Sequence, residues 1–283
     1  MSKWCISDTH GCYLTMLALI EKVKEKDPKA EFIFTGDYVD RGPRSAEVVE
    51  FIIEGIKSGE FQGVRGNHEG LMYEFFLARF GSNWLGSNGG TATVDSYRDY
   101  YNLEDDDLWE KIEEDAKELQ TLPLYLMLDD EDEQGRKLLI SHAFCSDFID
   151  DYLMLHGGTK EENDVAVDAY EEEHGIFARC KITKCGNLFD WNRNIPEKEN
   201  KKYFNITGHN ITGHLLQRYG SINGYDKETE VIVDKEKGYA CIDTGAFVDE
   251  RYQNDFGGKM TAISFPGLEI IQQQNIDKVD KDV

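Results

Sequence analysis

The chain has 283 residues, 40% of them hydrophobic, and its 31 Lys+Arg against 55 Asp+Glu give a formal net charge of -24 at pH 7. That much apolar material excludes an intrinsically disordered chain. So negative a field excludes a nucleic-acid-binding surface unless a local basic patch or a bound cation reverses it, and any anionic substrate must meet a locally positive site.

Lys3 to Ser7 reads as a strand and Tyr13 to Lys26 as a helix that closes before Pro28. Glu31 to Thr35 is a second strand. Ser45 to Lys57 is a helix carrying Val48, Val49, Ile52, Ile53 and Ile56, and Phe61 to Arg65 is a third strand. Strand-helix repetition of this kind implies a parallel sheet. Ser87-Asn88-Gly89-Gly90 marks a loop, and Glu104 to Gln120 is a highly charged helix expected in a cap or peripheral layer.

Beyond it the pattern turns β-rich, with strands over Leu124 to Leu128, Lys137 to Ser141, Tyr203 to Thr207, Tyr239 to Asp243, Met260 to Phe265 and Leu268 to Gln272. No Pro/Gly/Ser-rich linker divides the chain. The expected class is α/β, with two mixed sheets packed as a sandwich flanked by helices. Residues 1–274 are expected to form one domain and 275–283 a polar, frayed tail. The stretches 104–120 and 153–170 are expected to rim a cleft.

The opening MSKWCISDTHG holds no apolar run of signal-peptide length, and no stretch reaches the roughly 18 uninterrupted apolar residues of a membrane span. Cys5, Cys12, Cys145, Cys180, Cys185 and Cys241 lack paired spacing, as reduced thiols do. A soluble, cytoplasmic protein without a membrane partner is expected. Cys180 and Cys185 have no second pair to complete a zinc site, and His156 and His174 lie in polar stretches that read as exposed.

In open α/β sheets functional side chains gather past the carboxyl ends of strands. Three such loops are loaded: Ser7-Asp8-Thr9-His10-Gly11, Gly36-Asp37-Tyr38-Val39-Asp40-Arg41-Gly42 and Gly66-Asn67-His68-Glu69. Asp8, Asp37 and Asn67 follow one another at about one strand-helix unit each, so they should converge. Singly, an Asp or Asn after a strand is most often a turn residue or N-cap. Together, carboxylate, amide and imidazole donors suit divalent ions of the Mn, Fe or Zn type.

The ordered set SDTHG, GDYVDRG and GNHE resembles the calcineurin-like metallophosphoesterases, and within them the phosphoprotein phosphatase group, especially its bacteriophage and bacterial members. The second half continues the likeness. Lys137 to Ser141 runs into His142-Ala143, and Phe204 to Thr207 into Gly208-His209. Trp191-Asn192-Arg193 resembles a phosphate-binding segment of phage-type members, and Ile242-Asp243-Thr244-Gly245-Ala246 the closing β-rich segment. Ser7 stands where the family commonly has Gly, and Asn210 where its phosphoprotein phosphatases usually have Thr. Gly213-His214 leaves His214 as an alternative last ligand, and the Ser-Ala-Pro-Asn-Tyr segment of the eukaryotic enzymes is absent.

The resemblance implies two divalent ions, manganese before iron or zinc. Asp8, His10 and Asp37 would hold one, and Asp37, Asn67, His142 and His209 the other. It implies hydrolysis by direct attack of a metal-bridging hydroxide. Arg41, Arg193 and Asn67 would bind the phosphate, His68 would protonate the leaving oxygen, and Asp40 would orient His68. The expected activity is a phosphomonoesterase acting on phosphoserine or phosphothreonine, and also phosphotyrosine, in a phosphoprotein or small ester. A symmetrical dinucleoside polyphosphate hydrolase is the second reading. A non-catalytic phosphate-binding scaffold is third, disfavoured by the full set of ligand positions.

Overall fold

Short runs rich in Ile, Phe and Tyr build two five-stranded sheets. A computed structural model describes residues 2–78, 83–156, 188–248 and 257–277. In the first sheet β1 (Lys3–Ile6) lies between β2 (Glu31–Phe34) and β9 (Lys259–Phe265). β1 and β2 are parallel, with Cys5 opposite Ile33, whereas β9 runs antiparallel to β1. β3 (Phe61–Gly63) and β10 (Ile270–Gln274) form the two edges.

The second sheet has β4 (Tyr125–Glu131) at one edge, followed by β5 (Lys137–Ser141) and β6 (Tyr203–Thr207). β8 (Tyr239–Cys241) and β7 (Ile232–Asp234) complete it. β5, β6 and β8 are mutually parallel, and β4 and β7 run against their neighbours. Both sheets are mixed, as expected.

Alternation along the strands divides the core. Cys5, Ile33 and Ile263 of the first sheet join Leu138, Ile140, Phe204 and Ile206 of the second in one buried layer between the sheets. Trp4, Ile6, Phe32 and Phe34 point the other way, against α1 (Tyr13–Lys26) and α2 (Ser45–Ser58). α3 (Asn67–Leu77), α4 (Gly90–Tyr101) and α5 (Asp105–Gln120) extend this helical layer. On the outer side of the second sheet, α6 (Ile149–His156) and α7 (Leu188–Trp191) bring Ile149 and Phe189 onto Leu139 and Tyr203. α8 (Thr212–Tyr219) follows β6 and buries Leu215 against Tyr239 and Cys241.

Three expectations change. The charged helix at 104–120 is more than a peripheral cap, because Leu108, Ile112, Ala116 and Leu119 form an apolar stripe that enters the main helical core. The last strand starts at Ile270 rather than Leu268: Leu268 has φ 53° and its N–H donates to the Ser264 carbonyl, so it belongs to the hairpin turn. The chain is not frayed from residue 275. Asp277 is buried and accepts hydrogen bonds from Leu14 N (3.0 Å), Thr15 N (2.8 Å) and Thr15 Oγ1 (2.7 Å), capping the start of α1.

Cys180, Cys185, His174 and most of the 153–170 stretch lie outside the described residues. The described cysteines Cys5, Cys12, Cys145 and Cys241 are buried free thiols. Among the described residues no helix is long and apolar enough to cross a membrane.

Candidate metal centre

The loops after β1, β2, β3, β5 and β6 meet at one end of the sandwich, and Asp37 is their common point. Its Oδ1 lies 3.2 Å from His142 Nε2 and accepts the His68 backbone N–H at 3.0 Å. Its Oδ2 lies 3.5 Å from His10 Nε2 and 3.9 Å from His68 Nε2. Burial by itself would raise the Asp37 carboxyl, but the imidazoles of His142, His68 and His10 reverse that and hold it well below the usual carboxylate range. Two groups of donor atoms share it: His10, Asp37 and His68, and Asp37, His142 and His209, all buried.

The backbone is bent to make this possible. His10 (φ 41°), Asp37 (φ 54°), Asp40 (φ 74°), Arg41 (φ 72°) and His209 (φ 62°) all occupy the left-handed region that side chains other than glycine rarely adopt. Such strain persists only where surroundings over-determine it. Here the Glu69 carboxylate accepts from the N–H groups of Gly66 (2.8 Å), Asp37 (3.0 Å), Tyr38 (2.7 Å) and Val39 (3.3 Å), tying the second loop to the third. Gly66 must be glycine for this close approach, because a Cβ there would overlap Asp37 Oδ1 and the Asp37 backbone nitrogen.

At the first corner, partners fix which imidazole nitrogen faces inward. His10 Nδ1 donates to the Val39 carbonyl (2.8 Å), and its Nε2 accepts from Arg41 Nη1 (2.8 Å). His68 Nδ1 donates to Asp40 Oδ2 (2.6 Å), and its Nε2 accepts from Arg41 Nη2 (2.9 Å). Burial and the Arg41 charge keep His10 well below its ordinary pKa, so it is neutral with an inward lone pair. Asp40 is itself anchored, its carboxylate accepting from Trp84 Nε1 (2.9 Å) and Thr93 Oγ1 (2.7 Å). Phe247 covers the Arg41 guanidinium at 4.4 Å.

At the second corner, Asn67 Oδ1 lies 3.0 Å from His142 Nε2 and 2.9 Å from His209 Nδ1, and those two nitrogens are 3.2 Å apart. His142 Nδ1 donates to the Thr35 carbonyl (2.8 Å), which directs Nε2 inward. Burial opposes charge on His142, yet the Asp37 and Asp8 carboxylates outweigh it and lift its pKa to about 10. Burial and the neighbouring His142 charge hold His209 well below its ordinary value, and its Nε2 is buried without a hydrogen-bond partner.

Asp8 stands slightly apart. Its two oxygens accept from the His209 backbone N–H at 3.1 and 3.0 Å, and a Cβ at Gly208 would overlap Oδ1. The expected first set of Asp8, His10 and Asp37 is therefore gathered in its His10–Asp37 part, with His68 at the third place. Burial and the Asp243 carboxylate raise Asp8 well above the usual carboxylate range, so its charged form requires a nearby cation. Of the two candidate last histidines, His209 is buried in the cluster while His214 is exposed at the start of α8. Arg193 is exposed, and its charge helps depress His209 and His214.

The donor set fits a pair of divalent cations. Carboxylate, amide oxygen and imidazole nitrogens with oriented tautomers converge where protons and one guanidinium now balance the charge. Sequence reasoning missed several supports. Trp84 and Thr93 reach Asp40 across 44 and 53 positions, and no local pattern marks either. Glu69 was visible in GNHE, although nothing local assigned it a clamp. Asp190 also adjoins the cluster; burial raises it to about 6, with His142 and Arg65 opposing.

Residues 1–219 match the calcineurin-like phosphoesterase family. The chain belongs to that family. Among curated relatives of this calcineurin-like phosphoesterase is the asymmetrical bis(5'-nucleosyl)-tetraphosphatase PrpE of Bacillus subtilis (strain 168). It is 32% identical over 146 residues, which are 49% of this chain and 55% of that protein. Serine/threonine-protein phosphatase 2 of Escherichia coli (strain K12) is 32% identical over 87 residues, 30% of this chain and 38% of that protein. The chain thus spans about half the length, or less, of these curated relatives. A cold-active protein-tyrosine phosphatase of a psychrophilic Shewanella shares the fold at a TM-score of 0.52. The identity is 15%, over 98% of this chain and 78% of that one.

Proposed function

We propose that this calcineurin-like phosphoesterase hydrolyses phosphoric esters and anhydrides with two divalent ions, manganese first among them, and that dinucleoside polyphosphates are its favoured substrate class. One observation carries the reading: Asp37 joins two groups of inward donor atoms, and His68, the third member of the first group, is backed by Asp40 and adjoins Arg41. By the family resemblance the ligand positions would be Asp8, His10 and Asp37 on one side and Asp37, Asn67, His142 and His209 on the other. The structure gathers His68 rather than Asp8 with His10 and Asp37, and His68 is read as the proton donor. Bound there, the ions would supply a water acidified toward neutral pH and positive charge at the phosphoryl oxygens.

The chain's own groups do the rest. Arg41 now spends its two forked donors on His10 and His68. An arriving phosphate offers that fork anionic oxygens instead, a stronger match than neutral imidazole. Release of His68 Nε2 from Arg41 frees its lone pair to take up a proton from water, and that proton is then given to the leaving oxygen, with Nδ1–H held by Asp40 fixing the ring. Arg193, exposed near His209, provides a second cationic contact, and Asn67 adds its amide. These charges draw an anion into a protein of net charge -24.

The substrate preference is supported by relatives named as bis(5'-nucleosyl)-tetraphosphatases of the asymmetrical kind, which moves the nucleotide reading ahead of the phosphoprotein one. The likeness to serine/threonine-protein phosphatase 2 keeps phosphoserine and phosphothreonine monoesters as the second reading. Product analysis after chelator treatment and Mn(II) addition decides. Diadenosine tetraphosphate should yield AMP and ATP. Two ADP would mean symmetrical cleavage, and inorganic phosphate from phosphopeptides with the dinucleotide untouched would contradict the preference.

A further inference from the structure

Among the described residues few large apolar side chains are exposed, and Trp191 is the one whose ring packs edge-on to a histidine of the site. Trp191 is 41% exposed, and its indole lies 6.2 Å, centroid to centroid, from the His209 ring. A single exposed aromatic is unremarkable on a protein surface. What sets this one apart is how firmly the backbone on either side is held.

The segment carrying Trp191 is stitched to both histidine loops of the second sheet. The Phe189 carbonyl accepts the N–H of Ala143, next to His142, at 2.7 Å. Asn192 Nδ2 donates to the Phe144 carbonyl (2.8 Å), and the Asn192 carbonyl accepts from Asn210 Nδ2, next to His209, at 3.0 Å. The Phe189 ring is buried, stacked on Tyr125 at 5.1 Å and edge-on to Tyr152 at 4.8 Å. The chain therefore spends four anchors on residues 189 and 192 and leaves the large indole between them partly in water. Arg193, the next cation along, sends its field to His209.

We infer that Trp191 is the stacking platform for the nucleobase of a nucleotide substrate whose phosphate occupies the Asp37 site. An indole face prefers a flat, neutral, polarisable ring, and a preset platform loses little freedom when the ring arrives. The neighbouring Arg193 suits the phosphate of the same nucleotide. A peptide substrate would need an extended surface, whereas the structure offers one part-exposed aromatic residue with an exposed arginine two positions along the chain. This inference rests on the phosphoester-hydrolase reading of the site and adds to it the residue that would select nucleotides.

The test is calorimetric titration of the Mn(II)-loaded protein with AMP, ribose 5-phosphate and phenyl phosphate, run beside a turnover assay with diadenosine tetraphosphate. AMP should bind about tenfold more tightly than ribose 5-phosphate, the scale of one base-aromatic stack. Trp191→Ala should bring AMP down to the level of ribose 5-phosphate without changing the latter, and Trp191→Phe should keep most of the difference. Equal binding of AMP and ribose 5-phosphate to the unmodified protein, with turnover intact, overturns the platform alone. A gain for phenyl phosphate but not AMP shows that the indole meets a ring esterified directly to phosphate, and overturns the nucleobase assignment. Failure of all three ligands to bind, together with absent turnover, overturns the hydrolase reading and this inference with it.

Discussion

At one corner of the site His10 sits against the Arg41 guanidinium. At the other, His142 sits between the Asp37 carboxylate and the Asn67 amide oxygen. Both imidazoles are buried and both use Nδ1 on a backbone carbonyl, yet their charge states are opposite. Burial and Arg41 keep His10 neutral, whereas the carboxylates of Asp37 and Asp8 overcome burial and raise His142 to about 10. The first corner is ready to accept a cation without losing an imidazole proton. The second must exchange a proton for a cation, because a ligating imidazole must be neutral. Affinity at the second corner should consequently fall as pH drops and rise with pH up to about 10.

The largest expected effect comes from the residue the corners share. Asp37→Asn should reduce Mn(II)-dependent turnover of para-nitrophenyl phosphate to near background, and unchanged turnover would remove Asp37 from both corners. His68→Asn tests the first corner's chemistry. It should cost roughly 10²- to 10⁴-fold on an alkyl phosphate, and less on an aryl phosphate, whose leaving group needs little protonation. Equal losses on the two substrates would deny His68 the proton-donating role.

The smallest effect belongs to the brace behind the first corner. Asp277→Ala removes the acceptor for Leu14 N, Thr15 N and Thr15 Oγ1 at the start of α1, just past the His10 loop. A lost cap of this kind costs about 1 kcal/mol. Thermal unfolding should show a midpoint a few degrees lower, and an unchanged midpoint would mean that solvent replaces the cap at no cost.

The same division of the molecule separates what could be read from the sequence and what could not. The first three strands and their loaded loops were legible because one strand-helix unit repeats, so equal spacing along the chain becomes adjacency in space. His142 and His209 have no such repeat around them and were found through likeness to the family's strand-then-histidine pattern. The supports were hidden for a different reason. Trp84 and Thr93 reach Asp40 from distant stretches, and Asp277 caps a helix 262 positions away, contacts on which no periodicity bears. Local polarity misled at two places. A run of polar residues after 275 looked unattached, and the charges of 105–120 concealed the stripe of Leu108, Ile112, Ala116 and Leu119 that packs in the core. β7 was missed because Ile232–Asp234 is a three-residue strand in a polar stretch.

The most direct test of the paired-cation site is calorimetric titration of the chelator-stripped protein with Mn(II) at pH 7, in two buffers of different ionisation enthalpy. Two ions should bind per chain, with protons released as His142 gives up its charge at one corner and the Asp8 carboxyl ionises at the other. A single ion per chain, or two ions bound with no buffer dependence, would contradict the account.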